Sequence, residues 1–218
     1  MAYLGLLDEP LSLDEHLRQS FDEEGFVKIK GALDEDVIGI LQPKITDKVI
    51  EFNTMDVPVE QRLTYDKTFL QVGQLRFQSV VARAFVFSKR LAKAAAELLA
   101  VRLYSNQALY KEGGGAIIAW HVDQGYWSLA SDHACTVRIP LQETPLEMGP
   151  ISFAAKSHRF ACGPDLRIGD ESEAAIEETI EVQNLDVIDE PYEPAEVSYH
   201  LGWTFIGLAP IAPPPRGA

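Results

Sequence analysis

The sequence predicts an α+β protein, in which helices come first and a sandwich or barrel of short strands follows. Helical periodicity dominates up to about residue 101, whereas short apolar or alternating runs separated by Gly, Pro, Asp or Ser dominate afterwards. Helices that precede strands in this way usually pack against a β core. We expect one domain over residues 1–218, with a helical part at about 12–101, a β core at about 102–206 and an atypical tail at 207–218.

The first helix is predicted from a capping box. Ser12 and Glu15 have the spacing at which a hydroxyl and a carboxylate satisfy each other's free backbone N–H groups. Apolar residues then recur along one helix face until Gly25 ends the helix. An alternating run at 26–30 predicts a short strand directly after it.

Two further helices are predicted before the β core. Asp34 is a typical N-cap for the second helix, which Pro43 is expected to interrupt because proline has no backbone N–H. The run at 89–101 is rich in Ala, Leu, Lys and Glu, and it predicts the third helix. Later runs predict strands at 103–110, 116–122, 135–141, 151–154, 177–183 and 197–205.

Composition excludes several classes of function. The 218 residues include 33 Asp and Glu against 19 Lys and Arg, a formal net charge of −14, so no nucleic-acid partner is expected. No apolar run reaches the ~18–20 residues of a bilayer span, and no secretory signal begins the chain, so we expect a soluble, cytoplasmic protein without a membrane partner. Cys135 and Cys162 are too few for a disulfide framework.

The segment around residue 121 carries the clearest chemical signal. On a strand, His121 and Asp123 project from one face while Val122 points away. A neighbouring imidazole and carboxylate can supply two ligands to a divalent metal, as in the facial triad of two His and one carboxylate in non-haem Fe(II) oxygenases. A strand-end histidine that simply hydrogen-bonds to its neighbouring aspartate would give the same pattern.

Ordered motifs over most of the chain resemble the phytanoyl-CoA dioxygenase family of Fe(II)/2-oxoglutarate oxygenases. FDEEGFV at 21–27 is similar to the N-terminal segment of that family, and WHVDQGYW at 120–127 to its metal-binding strand. TVRIPLQETPLEMGPISFAAKSHR at 136–159 is similar to the following strand and turn, with Lys156 where the family usually has Gly. VSYHLGWT at 197–204 is similar to the strand that leads to the third ligand.

The resemblance implies a fold, two cofactors and a reaction. It implies a double-stranded β-helix, the jelly roll also called cupin-like, with the N-terminal helices packed on one sheet. It implies Fe(II) bound by His121 and Asp123, 2-oxoglutarate as co-substrate, and O2-dependent hydroxylation of a small organic metabolite. Related halogenases have a small residue in place of the carboxylate, so Asp123 favours hydroxylation. A metal-dependent isomerase or a sugar-binding cupin-like protein shares the fold class, but it explains the N-terminal third poorly.

The third ligand of the family is absent from this sequence. Ile206 stands where the resemblance implies the second histidine, and an isoleucine cannot coordinate iron. His200 is a substitute candidate, but six residues of continuous strand span ~20 Å, so it reaches the site only after a register shift or a fold-back. The site is therefore expected to be impaired. The alternative is a catalytically inactive jelly-roll protein, either a binding module or a truncated gene product.

Four residues are candidates for binding 2-oxoglutarate. The resemblance places Gln107 in the co-substrate pocket, although an exposed strand glutamine explains it equally well. Thr136 can donate its hydroxyl to a carboxylate. Arg138 replaces a typical tryptophan of the family, and it can bind a carboxylate if it faces inward rather than towards solvent. Arg216 lies near the position of the co-substrate arginine of the family, or is simply an arginine in a proline-rich tail.

Two segments remain to be interpreted. The tail IGLAPIAPPPRGA is unlike a β domain, and one reverse translation read in a shifted frame gives a histidine in place of Ile206, then Gly-Pro-Asn and an arginine. We hypothesise a frameshift, with one or more C-terminal strands missing. The acidic stretch at 165–181 is expected to be a solvated insertion, or else a mobile lid.

Overall fold

The computed structural model describes residues 3–58, 61–62, 69–111, 118–127, 129–160 and 168–208. Short 3-10 turns occur at Leu75–Phe77, Asp123–Tyr126, Leu146–Met148 and Ser157–Arg159. The helices are α1 (Tyr3–Asp8), α2 (Glu15–Glu24), α3 (Glu35–Phe52), α4 (Val80–Val86), α5 (Lys89–Leu98) and α6 (Asp170–Gln183). The strands are β1 (Phe26–Ile29), β2 (Leu70–Gly73), β3 (Gln107–Tyr110), β4 (Cys135–Arg138), β5 (Ile151–Ala154), β6 (Val187–Asp189), β7 (Val197–Leu201) and β8 (Ile206–Leu208).

The N-terminal helices begin at acidic caps. Helix α2 is capped by Asp14, whose carboxylate accepts a hydrogen bond from the Leu17 N–H, so the predicted capping box at Ser12 is wrong by two residues. The helix ends at Gly25, as predicted, because its left-handed backbone (φ 84°) suits glycine. Asp34 caps α3 through the Val37 N–H, which confirms the second prediction.

Helix α3 continues through Pro43, so the predicted interruption is wrong. A proline in a helix removes one backbone hydrogen bond, but here the apolar residues on both sides of it stay buried in one core. Leu41, Ile45 and Val49 are each 5% exposed or less, and their packing holds the helix together.

Two three-stranded antiparallel sheets face each other, in the orders β1-β7-β4 and β6-β5-β8, while β2 and β3 form a separate hairpin-like pair. The rings of Phe26 in β1 and Phe153 in β5 stack at 4.4 Å between centroids, which fixes the two sheets face to face. The fold is a double-stranded β-helix with helices added, as predicted.

One face of the first sheet packs against the helices and the other lines the interior. Val197 and Tyr199 of β7 belong to the core shared with α2, α3 and α5, and the Tyr199 hydroxyl donates to the carbonyl of Leu91 in α5 at 3.1 Å. Residues of a strand alternate between faces, so Ser198 and His200 point into the interior. The helices therefore support the sheet from behind and leave its inner face for chemistry.

The structure corrects two predicted strands. Residues 177–183 belong to helix α6, whose Ile176 is fully buried against Val122 and Phe205. The acidic stretch is thus a packed helix with a charged outer face, rather than a solvated insertion or a lid. The run at 197–205 is not one strand, because β7 ends at Leu201 and the chain reverses at 202–204 before β8.

The predicted strand at 116–122 and the predicted tail at 207–218 are only partly described. Of the predicted strand at 116–122, the described residues contribute one isolated bridge at His121, and 112–117 lie outside the described part of the chain. Strand β8 runs to Leu208, two residues into the predicted tail, whereas 209–218 are outside the described residues, so the frameshift and the missing strands stay predictions. None of the helices in the described ranges is both long and apolar enough to cross a membrane.

Candidate metal centre

His121 is held in an orientation that suits a metal ligand. Its backbone pairs with Ile206 through two hydrogen bonds of 2.9 and 3.0 Å, which fix the residue on the inner face of the β-helix. Its Nδ1 lies 2.8 Å from the carbonyl of Ala119. Because a carbonyl only accepts hydrogen bonds, Nδ1 carries the proton and Nε2 keeps its lone pair. Metal-binding histidines are commonly oriented by this kind of backbone contact.

Asp123 directs its two carboxylate oxygens to different partners. It begins a 3-10 turn, rather than continuing the predicted strand, and its Oδ1 lies 3.8 Å from Nε2 of His121. Its Oδ2 accepts hydrogen bonds from the Thr136 hydroxyl at 2.6 Å and from Nε2 of His200 at 3.1 Å. Oδ2 is therefore occupied, while Oδ1 faces the free nitrogen of His121.

The electrostatics of this pair favour a charged aspartate beside a neutral histidine. Burial alone would raise the pKa of Asp123, but the hydrogen bond from His200, the charges of both histidines and the Thr136 hydroxyl together lower that pKa to about 2. Burial lowers the pKa of His121, and the nearby Asp123 offsets only part of the shift. An ionised carboxylate and an unprotonated imidazole are the forms that bind a metal.

His200 reaches the site because the chain folds back after β7. The predicted continuous strand from 197 to 205 is wrong, so the separation of ~20 Å expected between residues 200 and 206 does not apply. His200 is 1% exposed, and its Nε2 donates to Asp123, which leaves Nδ1 buried with no hydrogen-bond partner among the described residues. In this geometry His200 is a hydrogen-bond partner of the Asp123 carboxylate.

Ile206 occupies the position where the resemblance implies the third metal ligand. As the bridge partner of His121 it projects from the same face of the sheet, where opposite side chains lie about 5 Å apart. Its side chain is 4% exposed and packs in an apolar cluster with Ile151, Phe153 and Leu208. Within the described ranges, no three His, Cys, Asp or Glu side chains are arranged to hold a metal ion, so the centre has two suitable donors.

Comparison with known proteins identifies the family. The model of the family described as "Phytanoyl-CoA dioxygenase (PhyH)" matches residues 21–196. The chain belongs to the phytanoyl-CoA dioxygenase family. Its general class is therefore that of the Fe(II)/2-oxoglutarate oxygenases. Among curated protein sequences none matches the chain significantly.

Solved structures with the same fold agree with this assignment. The carbocyclase SnoK, described as non-heme and α-ketoglutarate dependent, from nogalamycin biosynthesis, superposes with a TM-score of 0.77 at 19% identity, covering 94% of this chain and 81% of that one. EctD from S. alaskensis with bound Fe gives 0.73 at 18% identity, covering 95% and 77%. EvdO2 from Micromonospora carbonacea var. aurantiaca, complexed with 2-oxoglutarate, gives 0.64 at 17% identity, covering 94% and 87%. The expected Fe(II) and 2-oxoglutarate agree with these neighbours.

The candidates for binding the co-substrate of this phytanoyl-CoA dioxygenase family member separate into three groups. Thr136 and Arg138 share the inner face of β4, opposite His200 and Ser198 of β7. Gln107 is exposed at the start of β3, on the same face as Leu109, and its amide oxygen accepts from Gln71 at 2.6 Å. Arg216 lies outside the described residues.

Two further residues were not predicted from the sequence: Lys111 on the inner side and Glu173 behind the strand of His121. Lys111 shares strand parity with Leu109, which packs against the interior cluster, so Lys111 also lies on the inner side. Alternation along 107–111 was the available signal. Glu173 of α6 accepts a hydrogen bond from the backbone N–H of Trp120, next to His121, and supports the ligand strand from outside. Only the fold brings α6 to that strand.

Proposed function

We propose that this protein is an Fe(II)/2-oxoglutarate-dependent oxygenase of small organic metabolites, with two protein ligands to iron and reduced metal affinity and turnover. The observation that carries the proposal is the pairing of two free donor atoms, Nε2 of His121 and Oδ1 of Asp123, 3.8 Å apart on the inner face of the fold. The hydrogen bonds at their other atoms aim both donors at the same point.

The donor set suits iron in type and nearly in spacing. Two ligands at about 2.1 Å from one ion lie about 3.0 Å apart in cis octahedral geometry. The observed 3.8 Å therefore has to close by less than 1 Å, which rotation of two side chains can supply. Bound iron with 2-oxoglutarate would supply the oxidation of a C–H bond by O2.

The chain's own residues have defined roles in this proposal. His121 and Asp123 hold the metal, while Thr136 and His200 keep the carboxylate oriented and ionised. The facing apolar residues exclude water from the centre and provide a surface for the nonpolar part of a substrate. They are Phe26, Ile151, Phe153, Ile206 and Leu208.

The reduced affinity follows from Ile206. An aliphatic side chain leaves one coordination position to water, so the ion loses a strong imidazole bond and part of its orientation. Changes that merely disturb the supporting contacts of a metal site already cost about 10- to 100-fold in affinity. The absence of a direct ligand is expected to cost at least as much.

The decisive experiment compares Fe(II) binding and turnover in two single variants. Anaerobic calorimetry should show Fe(II) binding to the unmodified protein and roughly 100-fold weaker binding to His121→Ala. His16→Ala, at an exposed position on α2, is the matched control and should bind like the unmodified protein. Succinate formed from 2-oxoglutarate reports turnover. Equal Fe(II) binding by the protein and by His121→Ala would refute the proposal.

A second candidate is a jelly-roll binding protein without turnover, and Ile206 is the observation that favours it. In that case the interior still binds small organic acids, because the inner face of β4 and β7 is intact. Saturating Fe(II), 2-oxoglutarate and O2 would then produce no succinate. Succinate formation that depends on His121 would instead exclude this candidate.

A further inference from the structure

Arg138 presents an unpaired charge to the interior. It lies on the inner face of β4, opposite Ser198, and no carboxylate in the described residues lies within salt-bridge distance of its guanidinium. It is partly accessible, yet burial lowers its pKa, and the charges of Tyr192 and Asp123 offset this only in part. Arg138 thus lies on the inner face of β4 and keeps part of its surface accessible. Its five N–H donors can bind a carboxylate there.

Lys111 brings a second positive charge to the same space. Its ammonium donates to the backbone carbonyls of Met148 and Gly149 at 3.0 and 2.8 Å, and a third donor is left over. Burial and the positive charge of Arg138 lower the pKa of Lys111 to about 8. Lys111 and Arg138 both lie on the inner side of their strands, where a bound anion would stabilise both positive charges.

The other charges nearby do not neutralise this pair. Lys28 of β1, separated from β4 by β7, is within 3.2 Å of Glu190 and 3.6 Å of Glu196, so its charge is already balanced. The ionised Asp123 offsets part of the Arg138 charge, but one negative charge does not balance the two positive charges of Arg138 and Lys111. The interior therefore carries a net positive charge on the Arg138 side.

We propose that Arg138 and Lys111 form a carboxylate subsite, which takes the distal carboxylate of 2-oxoglutarate. The identity of the dicarboxylate rests on the proposed function. Thr136 touches Asp123 and lies two residues before Arg138 on the same face, so Arg138 begins about 7 Å from the metal-binding end. A short dicarboxylate spans that length when its other end meets His121 and Asp123. Arg138 thereby performs in the β core what an arginine beyond Ile206 does in the family pattern.

The test measures ligand binding without metal, so that it does not depend on Fe(II) affinity. 2-Oxoglutarate and 2-oxopentanoate, which lacks the distal carboxylate, are titrated calorimetrically into EDTA-treated protein. Arg138→Met should weaken 2-oxoglutarate binding by roughly 10- to 100-fold and leave 2-oxopentanoate unchanged. Lys111→Met should weaken 2-oxoglutarate by a smaller factor. Arg83→Met, at an exposed position on α4, is the matched control.

Each outcome decides the assignment. Equal 2-oxoglutarate affinity in Arg138→Met and the unmodified protein overturns it, as does equal weakening of both ligands, which would place the carboxylate of the shared 2-oxo acid end at Arg138. Absence of any 2-oxoglutarate binding also overturns it. Arg138→Lys keeps the charge and serves if the methionine variant fails to fold. Equal Fe(II) binding by the unmodified protein and by His121→Ala in the earlier experiment, with this subsite intact, would refute the proposed function alone.

Discussion

The two sheets that face each other across the interior carry opposite chemistry on their inner faces. Strands β7 and β4 of the first sheet present polar side chains and β1 adds Phe26, whereas the β6-β5-β8 sheet presents aliphatic and aromatic ones. The polar set is Thr136, Arg138, Ser198 and His200, and the apolar set is Ile151, Phe153, Ile206 and Leu208. His121 and Asp123 lie where the two sets meet, since His121 bridges to β8 and Asp123 hydrogen-bonds to β4 and β7.

This difference explains how the third ligand position can be filled without damage to the fold. Position 206 faces the centre but belongs to the apolar sheet, so an isoleucine there extends a continuous packed layer. A polar residue on the facing sheet could not be exchanged so freely, because His200 and Thr136 would lose a buried partner. Isoleucine at position 206 therefore removes a possible metal donor but leaves the packing of the apolar sheet undisturbed.

The largest effect is expected from Ile206→His, which makes the apolar sheet polar at one position. Ile206→His places an imidazole directly across from His121 and should raise Fe(II) affinity by about 10- to 100-fold. The metal-free variant should be less stable, because a polar group enters an apolar cluster without a partner. Calorimetry and thermal unfolding with and without Fe(II) measure both effects.

Leu208→His is the control for that gain. It introduces the same imidazole on the same inner face, two residues further along β8 and opposite Ile151 rather than beside the centre. We expect a similar loss of stability and no gain in affinity. If both variants bind Fe(II) equally well, residue 206 is not the position of the third metal ligand.

On the polar sheet, a smaller effect is expected from loss of the hydrogen bond between His200 and Asp123. If His200 positions Asp123, then His200→Leu removes one donor to Oδ2 and should weaken Fe(II) binding by roughly 10-fold. His200→Gln keeps an N–H at a similar distance and should restore most of that affinity. If His200 were a metal ligand instead, the glutamine variant would bind as poorly as the leucine variant.

Local sequence signals predicted the elements that depend on neighbouring residues. Asp34 begins α3 and the strand at 151–154 has the predicted bounds, because a cap and an apolar run between turns are local features. Helix α6 was missed because alternation at 177–183 suggested a strand, while burial of Ile176 against distant residues determines the helix. Tertiary packing outweighed the local pattern there.

The site divides in the same way. The spacing of His121 and Asp123 brought them together, as predicted, even though one is at a bridge and the other in a turn. His200 depends on the reversal at 202–204, which Gly202 alone signals. A side chain at Gly202 would collide with Oε1 of Gln124 and press on its Cβ at 3.2 Å, so close packing favours glycine there. The pairing of Lys111 with Arg138 joins separate strands, and spacing along the chain cannot reveal it.

The smallest expected effect concerns the charge of Lys111. Its pKa of about 8 lies below the ordinary 10.5, so the ammonium loses its proton as the pH rises through about 8. NMR titration of reductively methylated protein, with the signal of Lys111 assigned by its loss in Lys111→Met, should give this midpoint. Arg138→Met should raise the Lys111 midpoint, but only in part, because burial is the larger cause and remains. Bound 2-oxoglutarate should raise the midpoint in the unmodified protein, since a carboxylate favours the protonated form. A Lys111 midpoint near 10.5, unchanged in Arg138→Met, would mean that the positive side of the interior is open to solvent and that the two sheets differ less than their inner residues suggest.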